Sequence, residues 1–172
     1  MDSLWTKTAR LPHFPPLEGD RETDVLIIGG GMAGILCAWF LNQAGVDCIL
    51  LEAAELCGGT TGNTTAKITA QHGLLYDRLI RTLDQKKASL YLRANQAALE
   101  QYRRLCRDID CDFQTRDSFV FSLDRRDKLE RETLALTTLG VSAELVTQLP
   151  LPFPTAGAVR FPRQAQFHPL KF

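Results

Sequence analysis

The sequence predicts an α/β fold, with a parallel βαβ unit on its N-terminal side and an α+β region after it. Three observations predict this. An apolar strand, a glycine turn, an apolar helix and a second apolar strand follow one another between Asp24 and Glu52. Apolar residues then recur at helical spacing between Leu74 and Asp108. A strand-like run, SFVFSL, lies between Phe113 and Leu123.

The first twenty residues, MDSLWTKTARLPHFPPLEGD, form a Pro-rich arm without the apolar core of a signal peptide. The arm is expected to be extended and packed by Trp5 and Phe14. Asp24–Ile28 reads as a buried parallel strand, because it is short, continuous and β-branched. Gly29-Gly30-Gly31-Met32-Ala33-Gly34 fits G-x-G-x-x-G, and a helix over Ala33–Ala44 ends at Gly45. A second strand spans Asp47–Glu52. The uncharged run Val25–Leu41 is slightly short for a membrane-spanning helix, and its glycines divide it into strand, turn and helix.

Each part of this unit has a physical task in binding a dinucleotide. Gly29 permits the tight turn out of the strand. Gly31 lacks a Cβ, so a diphosphate can approach the backbone, and Gly34 lets the helix pack closely. Met32 and Ala33 open the helix, whose N-terminus carries unpaired N–H groups and partial positive charge. Glu52, with Ala53 beside it, stands about twenty residues further on, where a carboxylate accepts ribose hydroxyls. The same carboxylate repels a 2′-phosphate, which disfavours an NADP-type ligand. The unit therefore reads as Rossmann-like.

FAD and NAD both use such a turn. The segment Glu55–Thr69, rich in Gly, Thr and Asn, follows the second strand directly. A plain NAD domain usually continues with another helix–strand crossover. A hydroxyl- and glycine-rich loop suits a cofactor that runs on across the domain.

Composition excludes several classes. The 172 residues carry 20 basic and 20 acidic side chains, so zero net charge offers no electrostatic reason to expect nucleic acid or an anionic membrane. The 45% apolar content argues against general disorder. The five cysteines include no Cys-x-x-Cys, and their odd number argues against a complete disulfide framework. Cys37 and Cys48 lie in apolar runs and read as small buried hydrophobes. The reducing cytosol is the simplest compartment, so a cytoplasmic location is expected. His13, His72 and His168 show no metal-ligand spacing, and no metal is expected.

The run IIGGGMAGILCAWFLNQAG…LLEA, followed by GGTTGNTTAKITAQHGLLY, resembles the N-terminal part of an FAD-dependent oxidoreductase. The family is the D-amino-acid oxidase, glycine oxidase and sarcosine oxidase group. TTAKIT, QHGL and the FPPL arm are similar to a bacterial subgroup that carries a Rieske domain at its far C-terminus. No Cys-x-His pair of a Rieske site occurs in this chain. The resemblance implies a Rossmann-like FAD-binding portion over 21–110, after the 1–20 arm. It implies the start of an α+β substrate domain over 111–156 and a return segment over 157–172. On this reading the chain is an N-terminal portion of a longer fold.

The resemblance also implies site roles. It puts Gly29, Gly31 and Gly34 at the FAD diphosphate and Glu52 at the adenosine ribose. It puts Thr60, Thr61, Thr65 and Lys67 along the path to the isoalloxazine, with Lys67 as a cation beside the ring. The implied reaction is oxidation of an amine or amino acid by hydride transfer to flavin. Catalytic residues are not assigned, and His72, in a loop before a helix, reads as structural. Two alternatives stay open: a non-catalytic FAD-binding piece that needs a second chain or oligomer over its exposed sheet, and an NAD-dependent dehydrogenase domain.

In the rest of the chain, Leu74–Asp108 is expected to be helical. Arg125–Leu139 reads as an amphipathic helix stopped by Gly140, and LPLPFPTAG as a loop.

Overall fold

Val25–Ile28 (β1) and Cys48–Leu51 (β2) pair in parallel in the structure, a computed structural model that describes residues 3–172. Their register runs from Val25 opposite Cys48 to Ile28 opposite Leu51. The crossover is the helix Met32–Gln43, called α2 because a short helix, α1 (Leu4–Thr8), precedes it. Gly45, at φ +72°, follows the helix cap at Ala44 and turns the chain into β2. These elements belong to the first of two compact units, which runs to Ala66 and takes in His168–Phe172.

The apolar side chains of this unit are poorly covered. Leu26 is 53% exposed and Ile28 84%, and α2 buries no residue fully. The strand expected to be buried is therefore covered on one face only: Val25 and Ile27 are half-buried, whereas Leu26 and Ile28, on the other face, are exposed. Cys37 correspondingly is exposed and Cys48 half-buried; the buried thiols are Cys57, Cys106 and Cys111. The arm also departs from expectation. Ser3 accepts a hydrogen bond from the Thr6 N–H and caps α1, so this stretch is helical rather than extended. Phe14 is 64% exposed and packs little.

The second unit, Lys67–Phe167, is built around a long strand, Gly157–Gln166 (β6). Gln114–Ser122 (β4) pairs antiparallel along it. Lys67–Ile68 (β3) and Glu144–Val146 (β5) also pair antiparallel with β6. The remaining helices are Tyr76–Thr82 (α3), Gln85–Leu105 (α4) and Arg126–Thr138 (α5). The helix expected over 74–108 thus breaks in two. Asp84 adopts a non-helical conformation and its carboxylate accepts the Lys87 N–H at 2.7 Å, so a new N-cap starts there.

A sealed core joins these elements. Tyr76, Leu129, Leu136 and Val159 are fully buried. Glu132 on α5 is also fully buried, and it accepts the N–H groups of Leu75, Tyr76 and Asp77 at 2.8–2.9 Å. A carboxylate from one helix thus caps the start of another. Burial raises its pKa, and the three N–H bonds oppose that shift. Among the described residues no helix is long and apolar enough to cross a membrane.

Candidate functional site

The three glycines after β1 each meet a different constraint. Gly29 stands at φ +109°, a conformation open to glycine, and its N–H donates to the Leu51 carbonyl at 2.7 Å. Gly30 is buried, and a Cβ there would lie 2.3 Å from Leu56 Cδ2 and 3.0 Å from Glu52 Cβ. Gly31 is the N-cap residue of α2. A Cβ on Gly31 would meet only the Thr61 hydroxyl, at 3.5 Å, within 4 Å. Gly34, one turn into the helix, has no such room, since its Cβ would lie 2.0 Å from the Gly29 carbonyl oxygen. The helix start is thereby drawn onto the turn.

Glu52 follows β2 and is fixed by this turn. Gly30 N–H donates to its Oε2 at 2.7 Å and Ala54 N–H to its Oε1 at 3.0 Å. These bonds, led by that from Gly30, hold its carboxyl below the usual glutamate range. An ionised carboxylate offers about four acceptor sites, so it can receive further hydroxyls.

The loop after Glu52 folds back to the glycine turn. Cys57 N–H donates to the Gly30 carbonyl at 2.9 Å, and Gly62 N–H donates to the Cys57 carbonyl at 2.8 Å. Cys57 sits at φ +57°, unusual for a residue with a side chain. Its thiol is pushed up, first by burial and then by the Glu52 charge. The Thr61 hydroxyl accepts the Met32 N–H at 3.0 Å and so caps α2.

Between these parts lies a cleft of about 710 Å³, within the roughly 300–1,000 Å³ typical of small-molecule sites. Gly31 lines one side, Glu52, Ala54 and Glu55 another, and Cys57–Thr61 the rest. The cleft thus gathers Gly31, Glu52, Thr60 and Thr61 from the residues expected in a binding site. Gly29, Met32, Ala33 and Gly34 shape its helix end, and Ala53 lies in the turn beside Glu52. Thr65 is exposed, and Lys67 opens β3 in the second unit opposite Gln166; neither lines the cleft. His72 is exposed, with Nε2 3.3 Å from Asn95 Oδ1.

Sequence reasoning passed over Gly30 and Cys57. A third consecutive glycine was the available signal for Gly30, because G-x-G-x-x-G leaves that position free. Nothing local marks Cys57, whose role comes from contacts 27 residues away. Among the described residues no group of three or more His, Cys, Asp or Glu side chains is arranged to hold a metal ion.

Comparison with known proteins adds ancestry to this geometry. The family described as FAD dependent oxidoreductase (DAO) matches residues 24–172. The chain is 38% identical over 175 residues to YhfW of Bacillus subtilis (strain 168), named as a Rieske 2Fe-2S iron-sulfur protein; the match covers 99% of this chain and 34% of that protein. It is 26% identical over 117 residues to gamma-glutamylputrescine oxidoreductase of Escherichia coli (strain K12), covering 66% of this chain and 27% of the relative. Among solved structures, L-proline dehydrogenase from P. horikoshii aligns with a TM-score of 0.68 at 17% identity, over 87% of this chain and 39% of that one. The chain therefore covers about a third or less of the length of the curated relatives it matches.

Proposed function

Because the chain belongs to the FAD dependent oxidoreductase family, we propose that its cleft receives the adenosine and diphosphate portion of FAD, in a protein that oxidises an amine or amino acid. The observation that carries the placement is the carboxylate of Glu52, held by the Gly30 and Ala54 N–H groups at a cleft that α2 enters by its N-terminus.

The residues present fit the cofactor. Glu52 is acceptor-only when ionised and suits the two hydroxyls of an adenosine ribose. Gly31 leaves open the space that a diphosphate needs at the helix start. No acidic residue lies in the first turn of α2 to repel that anion. The Thr61 hydroxyl, accepting from Met32, keeps its own proton to donate to a phosphate oxygen. Thr60, on the same wall, adds a second hydroxyl.

FAD, when bound, supplies a two-electron acceptor for a hydride from the C–H next to nitrogen. Thr65 and Lys67 are proposed to follow the cofactor toward its ring, with Lys67 favouring negative charge there. The amine or amino-acid class rests on the likeness of the threonine-rich loop and on the relation to gamma-glutamylputrescine oxidoreductase. A cytoplasmic location is part of the same proposal.

FAD titration followed by flavin fluorescence tests the placement. Glu52→Ala is expected to weaken binding roughly ten- to a hundred-fold. Equal affinity of the variant and the natural chain contradicts it. Bleaching of the bound flavin's visible band under nitrogen, with a panel of amines and amino acids, tests the substrate class. A band that none of them bleaches counts against it.

A further inference from the structure

A five-residue helix has no stability of its own, so α1 persists only through what holds it. Two of its anchors lie on the loop beside the cleft. The Ser3 hydroxyl donates to the Gly62 carbonyl, and the Trp5 indole N–H donates to the Thr64 carbonyl at 2.8 Å. The others lie on His168, which is buried. The Trp5 ring meets the imidazole edge-on at a centroid distance of 4.9 Å. The Lys171 N–H donates to Nδ1 at 3.2 Å, which leaves the proton on Nε2. Nε2–H then donates to the Thr8 hydroxyl at 2.8 Å, and that hydroxyl donates to the Leu4 carbonyl at 2.7 Å.

We propose that Ser3–Thr8 is a clasp that positions the threonine loop of the cofactor cleft, with Trp5 as its main positioning residue. This rests on the reading of the cleft as an FAD site. The clasp lies ahead of the residues that the family pattern matches, which begin at 24. Trp5 does not line the cleft, so it acts through the loop. Gly62 and Thr64 follow directly on the hydroxyl-bearing residues Thr60 and Thr61, and the Gly62 N–H is also tied to the Cys57 carbonyl. Holding the carbonyls of Gly62 and Thr64 fixes the wall against which the cofactor lies. A loop that opens part of the time lowers apparent affinity by the fraction of chains that are competent. Linkage is reciprocal, so bound FAD tightens the clasp. Trypsin cleavage after Lys7 and Arg10 is then slower with FAD present.

Hydrogen exchange and FAD titration on the natural chain, Trp5→Ala and Ser3→Ala test the clasp. Trp5→Ala is expected to speed exchange at residues 60–66 and to weaken FAD, each about tenfold, with β1 and β2 unchanged. Trp5→Phe keeps a ring against His168, loses the N–H donor and falls between the two. Ser3→Ala gives the same pattern more weakly and serves if Trp5→Ala does not fold. Unchanged exchange at 60–66 in these variants overturns the proposal, as does a uniform rise that includes β1 and β2. A loosened loop with undiminished FAD affinity also overturns it. Local loosening in a chain that binds no FAD supports the clasp and contradicts the FAD reading instead.

Discussion

The two units are held together by different means. The second closes around Tyr76, Leu129, Leu136 and Val159, with a buried carboxylate capping one helix from another. The first leaves Leu26, Ile28, Trp39 and Phe40 substantially exposed. It is organised by backbone proximity: Gly34 against the Gly29 carbonyl, Gly30 against Glu52, Gly62 against the Cys57 carbonyl. Apolar burial is non-directional, whereas such contacts fix atoms in place. The sealed apolar core thus lies in the second unit, and the tight glycine turn, with the proposed cofactor cleft, in the first.

The aromatic residues let the contrast be measured. Both tryptophans, Trp5 and Trp39, lie in the first unit, and all three tyrosines, Tyr76, Tyr91 and Tyr102, in the second. In urea, tryptophan emission is expected to change at lower concentration than the near-UV tyrosine signal. Coincident transitions would mean that the two units unfold cooperatively with equal stability.

The largest single effect is expected in the sealed core. Leu136→Ala should destabilise the tyrosine-reported transition by about 2–5 kcal/mol. Ile28→Ala, at an exposed strand position, should stay within about 0.5 kcal/mol. Glu132→Ala comes next, at about 2–3 kcal/mol, because three N–H groups lose their acceptor. Glu132→Gln should recover part of that loss. If Glu132→Ala is silent in the tyrosine signal, the cap from α5 to α3 contributes nothing.

Effects in the first unit are smaller and more local. Gly34→Ala forces the helix off the turn and should cost about 1–3 kcal/mol in the tryptophan-reported transition. Gly31→Ala, with space around its Cβ, should leave that transition in place. Equal losses would erase the distinction between a packing glycine and an open one. The smallest effect concerns pH. Glu52 has a folded pKa below its unfolded one, so its contribution is present above the usual glutamate range and is lost as pH falls through the folded value. Glu52→Gln should flatten that acid limb of the tryptophan-reported stability; an unchanged limb would mean that the Gly30 and Ala54 bonds do not favour the charged form.

The sequence made the local parts legible because their signals are short-range. G-x-G-x-x-G between apolar runs marks β1, α2 and β2, and Gly140 marks the end of α5. SFVFSL lies on β4 but for its last residue, Leu123. The break at Asp84 was hidden by helical periodicity on both sides of it. Glu132 was hidden because its partners are 55–57 residues away in the chain. The half-covered state of β1 was hidden for a similar reason: β-branched residues specify a strand but not what covers it. In the site, spacing singled out Gly31 and Glu52, whereas Gly30 and Cys57 become meaningful only once the loop has folded back.

The most direct test of the account is the visible spectrum after incubation with FAD and gel filtration, for the natural chain and for Gly31→Val. A retained flavin band is expected in the natural chain and none in the variant, with a cooperative tryptophan-reported transition in both. A variant that keeps the band at full occupancy would contradict the placement of the cofactor at the helix start.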